Sequence, residues 1–264
     1  MKLSIITVNL NNARGLQKTI ESVVEQTWLD FELIIVDGAS TDGSIEVIQH
    51  FNNSMIQQFH WLSEPDSGVY QAMNKGIRMA KGEYLLFLNS GDFLVDDRVL
   101  TEVFSINRTA DILCGRCDVS ENGKVVWTSN PPDLVTFGKL YNVGLAHQST
   151  FIKRSLFDKL GLYREDFKYN SDIDFWYRSI ILNGATTEKV DLVVSDYNLD
   201  GFSSKEHQTP VYKNEMSEIL SQANFDKFIP DYIQWKEEKK SMQIYYWAKQ
   251  KKTIDFILKT AYKI

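Results

Sequence analysis

The chain has 264 residues, with 29 basic against 35 acidic groups, 43% hydrophobic residues, 14 Gly, 5 Pro and two Cys. That excludes low-complexity and collagen-like chains, a disulfide framework, and the basic stripe of a general nucleic-acid binder. No apolar run reaches the ~18 residues of a membrane span, and the one at the N-terminus is too short for a signal-peptide core, so the expected compartment is the cytoplasm.

The first hundred residues alternate between two periods. Leu3 to Val8 is a continuous β-branched run, as in a strand buried on both faces. Ala13 to Gln26 then places Leu16, Ile20, Val23 and Val24 at helical spacing. A second strand, Phe31 to Val36, ends in Asp37, and Gly38 to Gly43 is a turn with Asp42 as N-cap of a helix over Ser44 to Phe51. A third strand covers Phe59 to Ser63, a helix Tyr70 to Ala80 closes on Lys81-Gly82, and a fourth strand, Tyr84 to Leu88, runs into Asn89-Ser-Gly-Asp92. This pattern predicts an α/β fold with a mostly parallel, doubly wound sheet. Ligands of such sheets sit beyond the carboxyl ends of the strands, where Asp37, Glu64 and Asp66, and Asn89 and Asp92 collect.

Past residue 110 the pattern changes. Asp111 to Val119 and Lys124 to Thr128 read as a hairpin around Asn122-Gly123, Gln148 to Ile152 as a strand, Ser171 to Asn183 as a helix capped by Gly184, and Val190 to Tyr197 as a strand. Gly201 to Lys205 is expected to be a mobile loop, and Pro210 to Ala223 and Tyr232 to Tyr262 to be helical. Cys114 and Cys117 lack the further ligands of a zinc site and read as plain strand residues. From Lys236 onward eight Lys face Glu237, Glu238 and Asp255, a net of +5, mixed with Tyr245, Tyr246, Trp247, Ile254, Phe256, Ile257 and Leu258. A basic amphipathic helix of this kind either lies on an anionic membrane surface or packs on the chain's own body or a second subunit.

Five segments together resemble family-two glycosyltransferases of the GT-A fold. They are Leu3-Ser-Ile-Ile-Thr-Val-Asn-Leu-Asn11, Ile35-Val-Asp-Gly-Ala-Ser-Thr-Asp-Gly-Ser44, Asn89-Ser-Gly-Asp92, Ser171-Asp-Ile-Asp-Phe-Trp-Tyr-Arg178, and Asp66-Ser-Gly-Val-Tyr-Gln-Ala-Met-Asn-Lys-Gly76. The last is characteristic of a bacterial subset that builds surface polysaccharides. The resemblance covers residues 1–205 and implies a GT-A-like domain there, with a nucleotide-sugar half (1–110) and an acceptor half (111–205), followed by a helical extension over 206–264.

The resemblance also implies a chemistry: an inverting, hexosyltransferase-type enzyme that moves a sugar from a nucleotide-diphosphate donor, UDP favoured, to a glycan or lipid-linked acceptor. Asp92 matches the metal-binding Asp of the family, for Mg²⁺ or Mn²⁺, and Asp37 its base-reading carboxylate. Val8, Asn9, Asp66, Lys75, Asn89, Ser90 and Gly91 fall on the donor side. Lys75 or Arg78 supplies positive charge near the diphosphate, or Lys75 simply lies on a solvated helix face. Asp172 matches the general base, which contributes roughly 10²–10⁴-fold. Asp174, two residues on, points away from Asp172 and serves the helix terminus. His147 faces acceptor, metal or diphosphate, or is structural, and Trp176 stacks on a sugar or packs in the core. Asn89 and Gly91 stand where the family often has Asp, and Ser171 where it has Glu. These departures keep open a non-catalytic glycan- or nucleotide-binding protein. A nucleotidyltransferase is the other alternative, although residues 9–15 make a poor phosphate loop. No G-x-G-x-x-G follows the first strand, which disfavours a dinucleotide oxidoreductase. The implied partners are the donor, the acceptor and possible contacts with an anionic membrane or a second copy, with no nucleic acid. The implied location is cytoplasmic, peripheral on the inner membrane face.

Overall fold

The structure is a computed structural model and describes residues 1–52, 58–199, 209–222, 225–227 and 229–249. It divides into two compact units, Met1–Met216 and Ser217–Ile264.

The first unit opens with β1 (Leu3–Asn9), α1 (Ala13–Val24), β2 (Phe31–Asp37), α2 (Ser44–Asn52), β3 (Phe59–Ser63), α3 (Val69–Met79) and β4 (Tyr84–Phe87). Every residue of β1 and β2 is buried, as their unbroken β-branched runs require of strands covered on both faces. α1 starts where the Asn12 side chain accepts from Gly15 N at 3.1 Å, and it lays Leu16, Ile20 and Val23 on the sheet. Burying each such side chain contributes about 1.5–3 kcal/mol. The strand order β3-β2-β1-β4 is parallel throughout, as the alternating pattern predicts. Gly82 lets the chain enter β4 closely: a Cβ there would lie 2.4 Å from Ser4 N.

The second half of the unit adds β5 (Phe93–Leu94), α4 (Val99–Phe104), β6 (Ile112–Glu121), β7 (Lys124–Ser129), α5 (Phe137–Asn142), β8 (Thr150–Lys153), α6 (Arg154–Leu160), α7 (Ser171–Trp176) and β9 (Thr187–Asn198). The sheet continues β4-β8-β6-β9-β5, with β7 paired to β6. β8 runs antiparallel to both neighbours, so β6 points the same way as β4. The outcome is the mostly parallel α/β sheet expected from the sequence. Asn122-Gly123 turns the β6–β7 hairpin, both at positive φ.

Three expectations need correction. Gln148 and Ser149, read as the start of a strand, lie in a 3-10 turn, His147–Ser149, and the strand begins at Thr150. The helix from Ser171 ends as α at Trp176 and continues as a π-turn, Tyr177–Leu182. The last strand starts earlier, at Thr187. Cys114 and Cys117 are free, buried strand residues, as expected.

α8 (Pro210–Gln222) follows, and its residues up to Met216 belong to the first unit. The second unit contains α9 (Ile229–Lys249), on which Ile233 and Trp235 are exposed. The predicted loop Gly201–Lys205, the boundary at 205/206 and the apolar tail residues Ile254, Phe256, Ile257 and Leu258 lie outside the described residues.

Candidate active site

The carboxyl ends of β1, β2, β3 and β4 converge, as the edge rule for open sheets expects. At this edge Asp37 does not face out. It is 0% exposed, and its carboxylate accepts from Asn9 Nδ2 (2.7 Å), Ser63 Oγ (2.7 Å) and Ser40 N (2.9 Å). Burial pushes its pKa up, but the hydrogen bonds from Ser40, Ser63 and Asn9 outweigh that and hold it below the ordinary value. Asp37, expected to read a base, is here a buried brace tying three strand ends together. The carboxylate that occupies the open position is Asp66. Its Oδ2 lies 2.8 Å from where a Cβ on Gly38 would sit, and its Oδ1 accepts from Gly68 N at 3.0 Å. Only glycine at position 38 leaves Asp66 that room.

The Asn89-Ser-Gly-Asp92 loop is held from two sides. Ser90 N donates to the Val8 carbonyl at 3.1 Å, and the Asn12 amide donates to the Ser90 carbonyl at 3.0 Å. The Thr19 hydroxyl of α1 accepts from Gly91 N (2.9 Å) and donates to the Asp92 carbonyl (2.7 Å). Val8 and Asn9 are buried, so they shape this edge from beneath. Asp92 is 6% exposed, and burial drives its pKa up to about 7. His147, the Asn198 N–H and the Asn89 N–H oppose the rise, and the charge of Asp196 adds to it. Asp196 is itself raised, first by burial.

Lys75 is neither on a solvated face nor a free cation. Its Nζ lies 2.9 Å from Glu64 Oε1 and 2.9 Å from the Pro65 carbonyl, so it ties the loop that carries Asp66 to α3. Arg78 pairs with Glu165 at 3.7 Å.

In the half of the unit beyond residue 110, Asp172 stands at the start of α7. Tyr70 Oη lies 2.9 Å from its Oδ1 and 2.7 Å from the Tyr169 carbonyl. His147 Nδ1 lies 3.4 Å from its Oδ2, with His147 22% and Asp172 16% exposed. Burial works against the charge on Asp172, yet the hydrogen bond and charge of His147 and the hydrogen bond from Tyr70 leave its pKa lowered. Burial likewise disfavours charge on His147, but Asp172 and Asp92 raise it on balance. Tyr70 is driven well above its usual value, first by burial and then by Asp172, so it stays a donor. His147 Nε2 is 3.4 Å from Asn89 Nδ2. One imidazole thus spans from the Asp172 carboxylate to the β4 loop.

Besides Tyr70, two positioning residues were not recognised as such from the sequence. Asn74, one turn after Tyr70, exchanges hydrogen bonds with the Tyr163 backbone (2.8 and 3.0 Å). Glu215 of α8 is buried and accepts from the N–H groups of Lys168 (2.6 Å), Tyr169 (3.1 Å) and Asn170 (3.0 Å), immediately before Asp172. Asp174 is 1% exposed and pairs with Arg178. Trp176 is 0% exposed and packs edge-on against Phe175, so it presents no face to a sugar and belongs to the core.

A divalent cation fits the β4 loop only on particular terms. Among the described residues no three acidic, His or Cys side chains cluster as a metal cage. What the loop offers is one desolvated carboxylate, Asp92, and the buried Asn89 Oδ1, which has no hydrogen-bond partner among the described residues. That suits an ion such as Mg²⁺, which takes one or two protein ligands and completes its shell with phosphate oxygens and water.

The profile of the family described as Glycosyl transferase family 2 matches residues 4–167, a stretch that takes in Asp66, Asp92 and His147 and stops short of Asp172. A PGL/p-HBAD biosynthesis glycosyltransferase of Mycobacterium bovis is 32% identical over 198 residues, 74% of this chain and 76% of the relative. The solved structure of S. aureus TarS 1–349 in complex with UDP-GlcNAc superposes with a TM-score of 0.69 at 19% identity, covering 84% of this chain and 66% of that one. A mannosyltransferase from Pyrobaculum calidifontis in complex with GDP-Man and Mn²⁺ gives a TM-score of 0.58 at 17% identity, covering 87% of this chain and 64% of that one. The chain spans just under two thirds of each of these two solved chains, and at such identities the likeness shows the fold, the GT-A arrangement.

Proposed function

From the premise that this chain belongs to glycosyl transferase family 2, we propose that it transfers a sugar from a UDP-linked donor to a hydroxyl of a glycan or lipid-linked acceptor, with inversion, in surface polysaccharide biosynthesis. The observation that carries the proposal is the juxtaposition of an ionised, hydrogen-bonded Asp172 with the β4 loop, linked through His147. The M. bovis relative is described as a PGL/p-HBAD biosynthesis glycosyltransferase, and the S. aureus TarS neighbour in fold is bound to UDP-GlcNAc, which supports a biosynthetic glycosyltransfer from a UDP-sugar.

In this reading the nucleotide lies over the ends of β1 to β4. The Asp66 carboxylate accepts from a ring N–H of the base, which uracil and guanine both offer. Asp92, with the Asn89 side-chain oxygen, holds the divalent cation. When bound, that ion neutralises charge developing on the departing diphosphate. Asp172 takes the proton of the acceptor hydroxyl. As the acceptor oxygen bonds to the anomeric carbon, the bond from that carbon to the diphosphate oxygen breaks, and the proton ends on Asp172. Attack opposite the leaving group inverts the anomeric configuration. His147, whose charged form burial disfavours but Asp172 and Asp92 favour on balance, is placed to put positive charge beside the diphosphate. Tyr70 and Glu215 act through Asp172, by fixing its carboxylate and the chain leading to it.

Among the described residues no helix is long and apolar enough to cross a membrane. With the +5 charge from Lys236 onward, we assign the C-terminal segment to an anionic membrane surface where a lipid-linked acceptor resides.

Calorimetric titration with UDP and with GDP, each with Mn²⁺ and with EDTA, tests the donor site. Binding of UDP that requires the metal supports it. A folded protein that binds neither nucleotide refutes it. A second expectation concerns Tyr70. Tyr70→Phe removes a hydrogen bond that favours the Asp172 anion, so the Asp172 pKa rises. The acid limb of the kcat profile should move to higher pH and kcat should fall by about tenfold, with donor KM unchanged. An unmoved limb would show that Tyr70 only packs.

A further inference from the structure

Beside the proposed site lies a cavity of about 170 Å³ that none of the roles above uses. Its walls come from the distal half of β6, from β7 and from the segment leading into β8, and include Cys117, Trp127, Asn130, Gln148 and Tyr197. Two chain neighbours tie it to the chemistry. His147, paired with Asp172 at 3.4 Å, sits between the lining residues Ala146 and Gln148. Asn198, whose N–H serves the Asp92 carboxylate, follows the lining residue Tyr197.

The lining chemistry is distinctive. No wall residue carries a charge, although the carboxylates of Asp92 and Asp196 lie close enough to the lining residue Cys117 for their charge to act on its thiol. An indole and a phenol are combined with amide and hydroxyl groups from Asn130, Gln148 and Thr150. Trp127 is 55% exposed and Val143 65% exposed at the rim, so apolar surface faces an entering molecule. Aromatic faces pack against the C–H face of a pyranose, while amides and hydroxyls pair with its hydroxyls. The volume is that of one ring, since a hole of ~150 Å³ accommodates benzene.

We propose that this cavity is an acceptor subsite for one uncharged sugar ring, with Trp127 as its aromatic wall and the principal determinant of acceptor binding on this side. A uronic acid is excluded, because no wall cation meets its carboxylate and the neighbouring aspartates repel it. The inference rests on the glycosyltransfer reading and deepens it by naming the acceptor's class.

The test is saturation-transfer NMR on the full chain with Mg²⁺ and UDP. The probes are methyl β-D-glucopyranoside, methyl β-D-galactopyranoside, methyl α-L-rhamnopyranoside and methyl β-D-glucuronide. At least one neutral glycoside should give saturation transfer. Its affinity should fall by about tenfold in Trp127→Ala and be largely retained in Trp127→Phe, with the glucuronide silent. UDP affinity, measured on the same samples, should be equal in all three proteins. Neutral glycosides that bind Trp127→Ala as well as the parent, a glucuronide that binds as well as they do, or no glycoside binding to a UDP-competent protein would each overturn the subsite. Failure of the parent protein to bind UDP would instead strike at the glycosyltransfer reading.

Discussion

Asp172→Asn is expected to lower acceptor-dependent kcat by about 10²–10⁴-fold while UDP affinity stays within about twofold. The substitution is nearly isosteric. Its amide oxygen can still accept from Tyr70, so the start of α7, held from behind by Glu215, keeps its place. What is lost is the proton acceptor and the charge opposite His147. A pH signature accompanies the loss. The Asp172 pKa is lowered from 3.8, so its contribution to stability is present above 3.8 and is lost as pH falls through the lowered value. The His147 pKa is raised from 6.5, so its contribution is full below 6.5 and is lost as pH rises through the raised value. Both contributions are complete between pH 3.8 and 6.5, and there the stability gap between the parent and Asp172→Asn should be widest. Denaturant melts at pH 5 and pH 9 measure it. A variant that keeps its rate would remove Asp172 from the chemistry.

Asp92→Ala should act on the other half of the site. Metal-dependent UDP binding should weaken by at least about 100-fold, and kcat with it. The fold should not suffer. The loop is fixed by Thr19, Asn12 and the Val8 carbonyl rather than by the Asp92 carboxylate. Burial that pushes this carboxyl up to about 7 is a cost to the metal-free protein. In EDTA the variant should therefore melt no lower than the parent. Unchanged Mn²⁺-dependent binding would place the cation elsewhere.

The parallel half of the sheet was legible because its strands are buried on both faces and announce themselves as unbroken apolar runs from Leu3 and Phe31. The half beyond residue 110 was read less well. α4, α5 and α6 span six or seven residues each, too few for helical periodicity to emerge. The turn at His147 carries the same polar residues that a strand end would. Motif position singled out Asp92 and Asp172, and His147 was noted only as a lone histidine; the type of a carboxylate does not tell which way it points. Asp37 ends β2 and Asp66 lies in the loop after β3, and only the packing of Asn9, Ser40 and Ser63 around Asp37 assigns it to the frame. The signal for the other was present in Gly38, the residue that leaves room for the Asp66 side chain. Tyr70 and Glu215 escaped because their partners lie 102 and 45–47 residues away in the chain, and spacing within a helix does not reveal contacts at that range.

The most direct test is a crystal structure of the protein with UDP and Mn²⁺, read through the manganese anomalous signal. The account predicts one anomalous peak on the Asp92 carboxylate bridging to the diphosphate. It also predicts the uracil N–H against Asp66 and an open face toward Asp172. Manganese remote from Asp92, or a nucleotide bound away from the carboxyl ends of β1 to β4, would contradict it.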